Sequence, residues 1–347
     1  QSYFQGPGRA RAFGFFGTTV GVSVAIGPVL GGLLIQLGGT EIGWRLTFLI
    51  NVPIGLLTIG LALLWFPRPL IHKPKLLAHK SLRSLDPVGA LLLGLGVLAV
   101  LYPFVESRSS GLMWLLLPAG LLLFYLWVRW ERWYTRRGYS PMEDLKIFAT
   151  SSIIMLLYFL GMTSVWVLIP LYAQQGVGFS AFEAGMIGIP SALLSAWSSN
   201  WAGKHVNQYG PKVVIGGLSF AVFGLLSSIA VVLLQEYVGL SIWWLMLSLA
   251  FFGLGQGSVI SPNQTLTLAE VPLDYAGSSG AIMQTGQRIG TSVGIAIITA
   301  IVFAVRPYSS WSIAVSLGLL TITLIILFAL AMAFKDLRDR CAVSATP

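Results

Sequence analysis

Ten separate runs of about twenty mostly apolar residues dominate this 347-residue chain. A run of that length makes a helix that can cross roughly 30 Å of hydrocarbon, where the backbone must be satisfied internally. The sequence therefore predicts an all-α fold, a polytopic membrane bundle of about ten transmembrane helices. The predicted spans are 12–37, 44–66, 86–105, 112–130, 148–173, 184–202, 213–234, 242–265, 277–304 and 311–334.

Composition excludes several other classes of protein. Only 10% of the residues are charged, whereas a soluble chain has about a quarter; a lipid bilayer is the expected surroundings. The net charge of +9 is dispersed between apolar runs, so no nucleic-acid partner is expected. A single cysteine, Cys341, excludes an internal disulfide framework. No metal-ligand spacing, phosphate-binding loop or nucleophile motif occurs, so we expect no metal, no cofactor and no enzyme activity.

Lysine and arginine are distributed unevenly between the two sides of the predicted spans. One side holds 17 of them, at both chain ends, around the basic loops 67–85 and 131–147, and at 204–212, whereas the opposite side holds 3. Because cytoplasmic loops carry an excess of basic residues, the first side is predicted to be cytoplasmic. An even number of spans then places both termini on the cytoplasmic side of a cell membrane.

The first predicted span combines a proline with glycines at helical spacing. Pro28 removes a backbone donor and is expected to bend the helix. A strip where another helix can approach closely is predicted at the glycines 17, 21, 27 and 31. We interpret this motif as setting helix geometry rather than binding ligand, through Gly21, Gly27, Pro28, Gly31 and Gly32.

Further short patterns follow this motif in a fixed order. The mid-span Gly-Pro-x-x-Gly-Gly is similar to the antiporter motif of drug exporters in the major facilitator superfamily. Residues 43–55 read GWRLTFLINVPIG and resemble the run that opens the sixth helix in its fourteen-helix drug:proton antiporter branch. Three later stretches, 86–89, 131–148 and 272–290, resemble further signatures of that branch and occur in the same order. The resemblance covers essentially the whole chain.

The resemblance implies a partial major facilitator fold that corresponds to helices five to fourteen. Residues 1–66 are then expected to be the last two helices of the amino-terminal six-helix half. Residues 67–147 comprise a basic cytoplasmic loop, two extra linker helices and a second cytoplasmic loop. Residues 148–334 form the carboxyl-terminal half, and 335–347 form a cytoplasmic tail. The first four helices, with the acids that couple proton movement in that branch, are expected to be missing.

Arg288 is the most informative single residue, because an arginine at the bilayer centre costs roughly 2.5–3.5 kcal/mol unless it faces protein or water. Gly286, Gly290 and Gly294 predict a packing face, and Arg288 lies about 200° from Gly286 on the helical wheel. Gln284 and Ser292 share the side of Arg288. Two interpretations stay open: Arg288 lines a polar cavity, or it has a structural hydrogen-bonding role.

Other polar residues are candidates by position in the expected bundle. Superfamily topology implies that the spans near 148–173, 184–202, 242–265 and 277–304 border a central cavity. Their polar residues give the further cavity candidates Tyr158, Asn200, Gln256 and Asn263. The stretch 203–212 resembles a superfamily cytoplasmic loop motif through Gly203, Gly210 and Lys212, although Asn207 stands where that motif usually has an acid.

The resemblance implies a transporter that exports lipophilic, drug-like compounds, cationic ones included, in exchange for protons by alternating access. Its partners would be a small-molecule substrate, protons and the bilayer; an accessory efflux partner is left open. Two alternatives remain: an exporter of an endogenous solute such as a siderophore or antibiotic, and a non-transporting membrane fragment.

Overall fold

The structure, a computed structural model, describes residues 6–65, 87–105, 111–136, 149–269 and 276–344. All regular elements in these ranges are helical, which confirms the all-α prediction. The α-helices are α1 Gly6–Leu49, α2 Asn51–Trp65, α3 Pro87–Val105, α4 Leu116–Arg136, α5 Ala149–Leu171, α6 Ala181–Ile187, α7 Ile189–Tyr209, α8 Pro211–Val238, α9 Leu245–Ala269, α10 Ala276–Val305 and α11 Trp311–Ser344. A π-helical turn at Tyr172–Gly176 follows α5.

Eight segments within the described ranges are long and apolar enough to cross a membrane. They are Arg11–Gly39, Glu41–Trp65, Met113–Trp130, Ile154–Gly176, Pro211–Val238, Ile242–Leu266, Met283–Tyr308 and Trp311–Arg338. The two remaining predicted spans correspond to α3, an apolar helix of 19 residues, and to α6 with α7. The predicted basic loop 67–85 and most of 131–147 lie outside the described residues.

α1 is two helices joined at a sharp reversal. Gly39 has φ 65° and ψ −170°, a backbone conformation that side chains with a Cβ rarely adopt. A Cβ on Gly43 would lie 2.7 Å from the Cα of Ile35, whereas eight residues of straight helix span about 12 Å. The chain therefore folds back on itself at Gly39. Pro28 also lies inside α1, but the residue with non-helical backbone angles in this helix is Gly39.

The large core belongs to the carboxyl-terminal helices. Its buried apolar side chains come from α5, α6, α8, α9, α10 and α11 and from two of the turns between them, and include Leu168, Leu218 and Phe252. α7 and α8 pack on α9, α10 packs on α5, and α11 packs on α5 and α8. Glycines bring the backbones together: a Cβ on Gly224 would lie 2.5 Å from the Phe252 nitrogen. In a membrane the hydrophobic effect does not drive helices together, because lipid is as apolar as the side chains. Close packing at small residues holds the helices together instead.

The amino-terminal helices attach to this core along one side. α1 packs mainly against α7 and also contacts α6 and α9. α6 starts with a capping box, in which Ser180 and Glu183 bond each other's backbone N–H groups. These bonds from Ser180 hold the pKa of Glu183 below its usual value. α3 and α4 form a pair that contacts α10, whereas α2 buries none of its residues.

Candidate functional site

A cavity of about 510 Å³ lies between α1 on one side and α5, the α6–α7 turn, α9 and α10 on the other. This volume is typical of sites that hold drug-sized ligands, about 300–1,000 Å³. α1 contributes a row of apolar side chains four residues apart, Phe16, Val20 and Val24, followed by Pro28. Spacing by four places them on one face of the helix.

The wall formed by α5 is mostly aromatic and apolar. It includes Tyr158, Phe159, Met162 and Trp166. The rings of Tyr158 and Phe159 meet edge to face with centroids 5.3 Å apart, which is a favourable aromatic geometry. Tyr158 is only 1% exposed, so its ring belongs to the core as well as to the wall.

Polar groups enter the cavity from α9 and α10. α9 provides Gln256 and Gln264, and α10 provides Gln284, Gln287 and Arg288. α10 is fixed by its glycines: a Cβ on Gly290 would lie 2.8 Å from the Leu156 carbonyl of α5, and Gly294 abuts Leu160. Arg288 lies about 200° from Gly290 on the helical wheel, so it points away from this contact. Gly286, predicted to share the packing face, has nothing within 4 Å.

Several polar atoms in the cavity wall are buried without a hydrogen-bond partner among the described residues. They are the Tyr158 hydroxyl, the Trp166 Nε1, the Gln256 Oε1 and the Gln287 Nε2. Buried polar atoms are nearly always hydrogen-bonded, to water if not to protein. These four atoms lie on α5, α9 and α10 and have hydrogen-bonding capacity that no described residue uses.

The predicted site residues divide into two groups. Tyr158, Gln256, Gln284 and Arg288 line this cavity together. Asn200, Asn263 and Ser292 are not among the lining residues. Asn263 is 3% exposed and takes part in an interaction inside the bundle, and Asn200 and Ser292 are half-buried.

The motif glycines of α1 also divide. A Cβ on Gly21 would lie 2.8 Å from the Ala196 nitrogen of α7, and one on Gly32 2.8 Å from the Ala181 oxygen. Gly17 abuts Ser199, whereas Gly27 and Gly31 have nothing within 4 Å. Gly31 lies about 20° from Val24 on the helical wheel, on the cavity side. Of the glycines in the predicted strip, 17 and 21 contact α7 in this structure, and the next close contact is at Gly32.

The predicted loop motif lies at the far end of α7. A Cβ on Gly14 of α1 would be 3.3 Å from the Cα of Gly203, so α1 also reaches this end. Gly210 has φ 54° and joins α7 to α8, and Lys212 is exposed in the first turn of α8. In the described part of the chain, no group of three His, Cys, Asp or Glu side chains is placed to hold a metal ion.

Sequence reasoning missed Gln264 and Gln287 as site residues. Gln287 stands beside Arg288, but adjacent residues lie about 100° apart on a helix, so the pattern did not predict that both reach the cavity. α1 was expected to supply helix geometry, and its row of side chains facing the cavity was also missed. A signal was present, because Phe16, Val20 and Val24 repeat every four residues.

Comparison with known proteins identifies a family for this chain. Residues 2–295 match the family described as Major Facilitator Superfamily. The chain is 29% identical over 304 residues to the probable actinorhodin transporter of Streptomyces coelicolor, covering 85% of this chain and 51% of that protein.

Two further relatives are transport or resistance proteins. The riboflavin transporter RibZ of Clostridioides difficile is 26% identical over 292 residues, covering 84% of this chain and 60% of that protein. The multidrug resistance protein Stp of Mycobacterium tuberculosis is 25% identical over 310 residues, covering 85% and 53%. The chain thus spans about half the length of these curated relatives. With several membrane-spanning helices around a ligand-sized cavity, this multi-pass membrane protein belongs to the major facilitator superfamily, a family of small-molecule transporters rather than enzymes.

Proposed function

We propose that this chain is the larger part of a proton-coupled exporter of lipophilic, drug-like compounds that works by alternating access. The cavity between α1 and the carboxyl-terminal helices is the observation that carries the proposal. A transporter of this kind binds substrate near the bilayer midplane and rocks two bundles about that site. The cavity has the size, the apolar walls and the few polar groups that such binding needs.

The proposal includes a division of the chain into parts of the two bundles. Residues 148–334 would form one six-helix half, and residues 1–66 would form the last two helices of the other. Residues 67–147 would link them, and 335–347 would be a cytoplasmic tail. Two observations support this: the chain covers 51% of its actinorhodin-transporter relative, and among the described residues only α1 faces the cavity from its side. The upstream helices would supply the remaining wall.

Proton coupling would depend on those upstream helices. No carboxylate lines the cavity in the described ranges, because its ionisable side chains there are Arg288 and Tyr158. The acids that exchange protons would therefore lie in the upstream helices. Both termini of the chain and the loops 67–85 and 131–147 would be cytoplasmic, since they hold most of the basic residues.

The test compares two proteins. One is the printed chain, residues 1–347, and the other is a longer protein in which the upstream helices precede residue 1. In inside-out vesicles, the longer protein should accumulate lipophilic probes when a proton gradient is imposed, and nigericin should abolish this. The printed chain alone should be expressed at a low level in cells and should transport no probe. Gradient-dependent uptake by the printed chain would contradict the division, and no uptake by a well-folded longer protein would contradict the function.

A second candidate function is export of an endogenous solute, such as an antibiotic or a siderophore. The observation that favours it is the likeness to a probable actinorhodin transporter. Deleting the gene would separate the two: a drug exporter leaves cells more susceptible to unrelated drugs. An endogenous exporter instead leaves one metabolite retained inside the cell, with drug susceptibility unchanged.

A further inference from the structure

We infer that the cavity walls formed by this chain select planar aromatic ligands that carry a negative charge or neutral polar groups, and that these walls disfavour cations. The inference rests on the proposed function, because it names the substrate class of the same cavity. It also departs from the expectation that cationic drugs are among the substrates. Its basis is the charge, hydrogen-bonding capacity and shape of the walls.

The first step is charge. Among the described lining residues Arg288 is the charged one at neutral pH, and no Asp or Glu stands beside it. The guanidinium forms no ion pair or hydrogen bond with another described residue, and the side chain is exposed to the cavity. Near a protein surface the effective dielectric is lower than in bulk water, so a positive charge there attracts an anion and repels a cation more strongly than it does in water.

The second step is the position of Arg288. Gly290 and Gly294 hold α10 against the backbone of α5, so the helix cannot turn the arginine away without opening that contact. A guanidinium has five N–H donors in a planar fork that matches both oxygens of a carboxylate or sulfonate. A ligand anion would therefore supply the partner that the described protein does not.

The third step is the hydrogen-bonding capacity of the remaining polar wall. Four glutamines line the cavity, and each amide offers both a donor and an acceptor. The Gln256 oxygen and the Gln287 nitrogen are buried and unpartnered within the described structure, as is the Tyr158 hydroxyl. Carbonyl and phenol groups on a ligand could bond to the Gln284 amide, which is exposed, and could reach the buried atoms once their side chains rotate toward the cavity.

The fourth step is shape. Phe16, Tyr158, Phe159 and Trp166 surround the cavity with aromatic rings. Flat aromatic ligands pack against such rings by offset stacking or edge-to-face contact. Aromatic rings also attract cations, and cation-binding sites combine this attraction with a nearby carboxylate or with no opposing charge. Here Arg288 opposes it, so the rings favour aromatic ligands without favouring positive ones.

The experiment measures binding of three acridines that share one ring system and differ in charge. Acridine-9-carboxylate is an anion at pH 7.5, acridine-9-carboxamide is neutral, and 9-aminoacridinium is a cation. The protein is the printed chain in zwitterionic nanodiscs, and probe fluorescence is corrected with empty discs. We expect the carboxylate to bind about tenfold or more tightly than the cation, with the amide between them.

Two variants assign the preference to the arginine. Arg288→Gln removes the charge and keeps a polar amide at this position, so the carboxylate should bind within about twofold of the amide probe. Arg338→Gln is the control, because Arg338 is exposed in α11 and is not a lining residue; it should bind like the unsubstituted chain. Competition among the same probes on the protein carrying the upstream helices provides a second measurement if the printed chain accumulates too poorly.

The outcomes separate the inference from the proposed function. Equal or tighter binding of 9-aminoacridinium overturns the inference, as does an unchanged carboxylate preference in Arg288→Gln or the absence of carboxylate binding. Proton-driven export of cations by the longer protein would overturn the inference and leave the proposed function standing. Carboxylate binding without proton-driven transport by the longer protein would do the reverse.

Discussion

The helices α2 and α8 are both apolar enough to cross a membrane, yet they differ completely in burial. α2 buries none of its 15 residues, whereas α8 buries nine of its 28. The buried set of α8 includes Gly217, Ala221 and Gly224, which bring its backbone against α9. α2 also has glycines, Gly55 and Gly60, but nothing lies within 4 Å of a Cβ at either. Apolar length therefore predicts that a helix spans the membrane, and contacts between small residues decide whether it packs.

The largest expected effect tests the glycine contacts of the carboxyl-terminal region. Gly294→Leu should lower the free energy of unfolding by about 3 kcal/mol or more, because the new side chain meets the Leu160 backbone, which cannot move aside. Gly286→Leu on the same helix is the matched control and should have little effect, since its Cβ meets nothing within 4 Å. Dodecyl sulfate titration in mixed micelles measures both. Equal losses would show that α10 is not held by this contact.

The second prediction compares one leucine from each region. Leu218 of α8 is 0% exposed and Leu57 of α2 is 64% exposed. Leu218→Ala should cost about 2 kcal/mol, at the low end for buried leucines, because lipid removes most of the transfer term and leaves the cavity term. Leu57→Ala should stay within about 0.5 kcal/mol of the unsubstituted chain. The same titration distinguishes them, and a cost at Leu57 as large as that at Leu218 would mean that α2 is packed.

Eight of ten predicted spans were found because each depends only on a local apolar run. The predicted span at 184–202 is less apolar than these eight. The reason is that α7 buries the serines Ser191, Ser195 and Ser198, which fit against glycines of α9. In the site, Arg288 and Gln284 were predictable from the helical wheel of α10. Asn263 and Gln264 are neighbours in sequence, and only the packing of α9 determines that Gln264 lines the cavity.

The third prediction concerns α1, which has glycines packed against a neighbouring helix and glycines with open space around them. Gly21→Leu should cost about 1–2 kcal/mol, less than Gly294→Leu, because α1 can shift outward from Ala196. Gly31→Leu should leave the stability of the printed chain unchanged, since it faces the open cavity side. Thermal unfolding followed by size-exclusion fluorescence reports on each. A destabilised Gly31→Leu would place another part of the chain against that face.

The smallest expected effect concerns single hydroxyl groups. The Tyr172 hydroxyl donates to the Gln235 side chain at 2.6 Å and lies 3.0 Å from Ser312, joining α8 and α11 to the π-helical turn. Tyr172→Phe should cost about 1 kcal/mol. Thr18→Val in α1 removes a bond of 3.1 Å to the Ala196 carbonyl and should cost about 0.5 kcal/mol. A larger loss at Thr18 than at Tyr172 would reverse the ranking of the two regions.

The reversal at Gly39 has a mechanical consequence. Gly38 and Gly43 touch across it, with a Cβ on Gly38 only 2.7 Å from the Gly43 Cα, so the turn contains almost no slack. The part of α1 before the reversal, 6–38, forms one wall of the cavity. If this part tilts, the part after the reversal, 40–49, and α2 must tilt with it. Because α2 buries no residues, it can carry a spin label without disturbing any packed surface. A label there would read out the angle of the cavity wall from a distance.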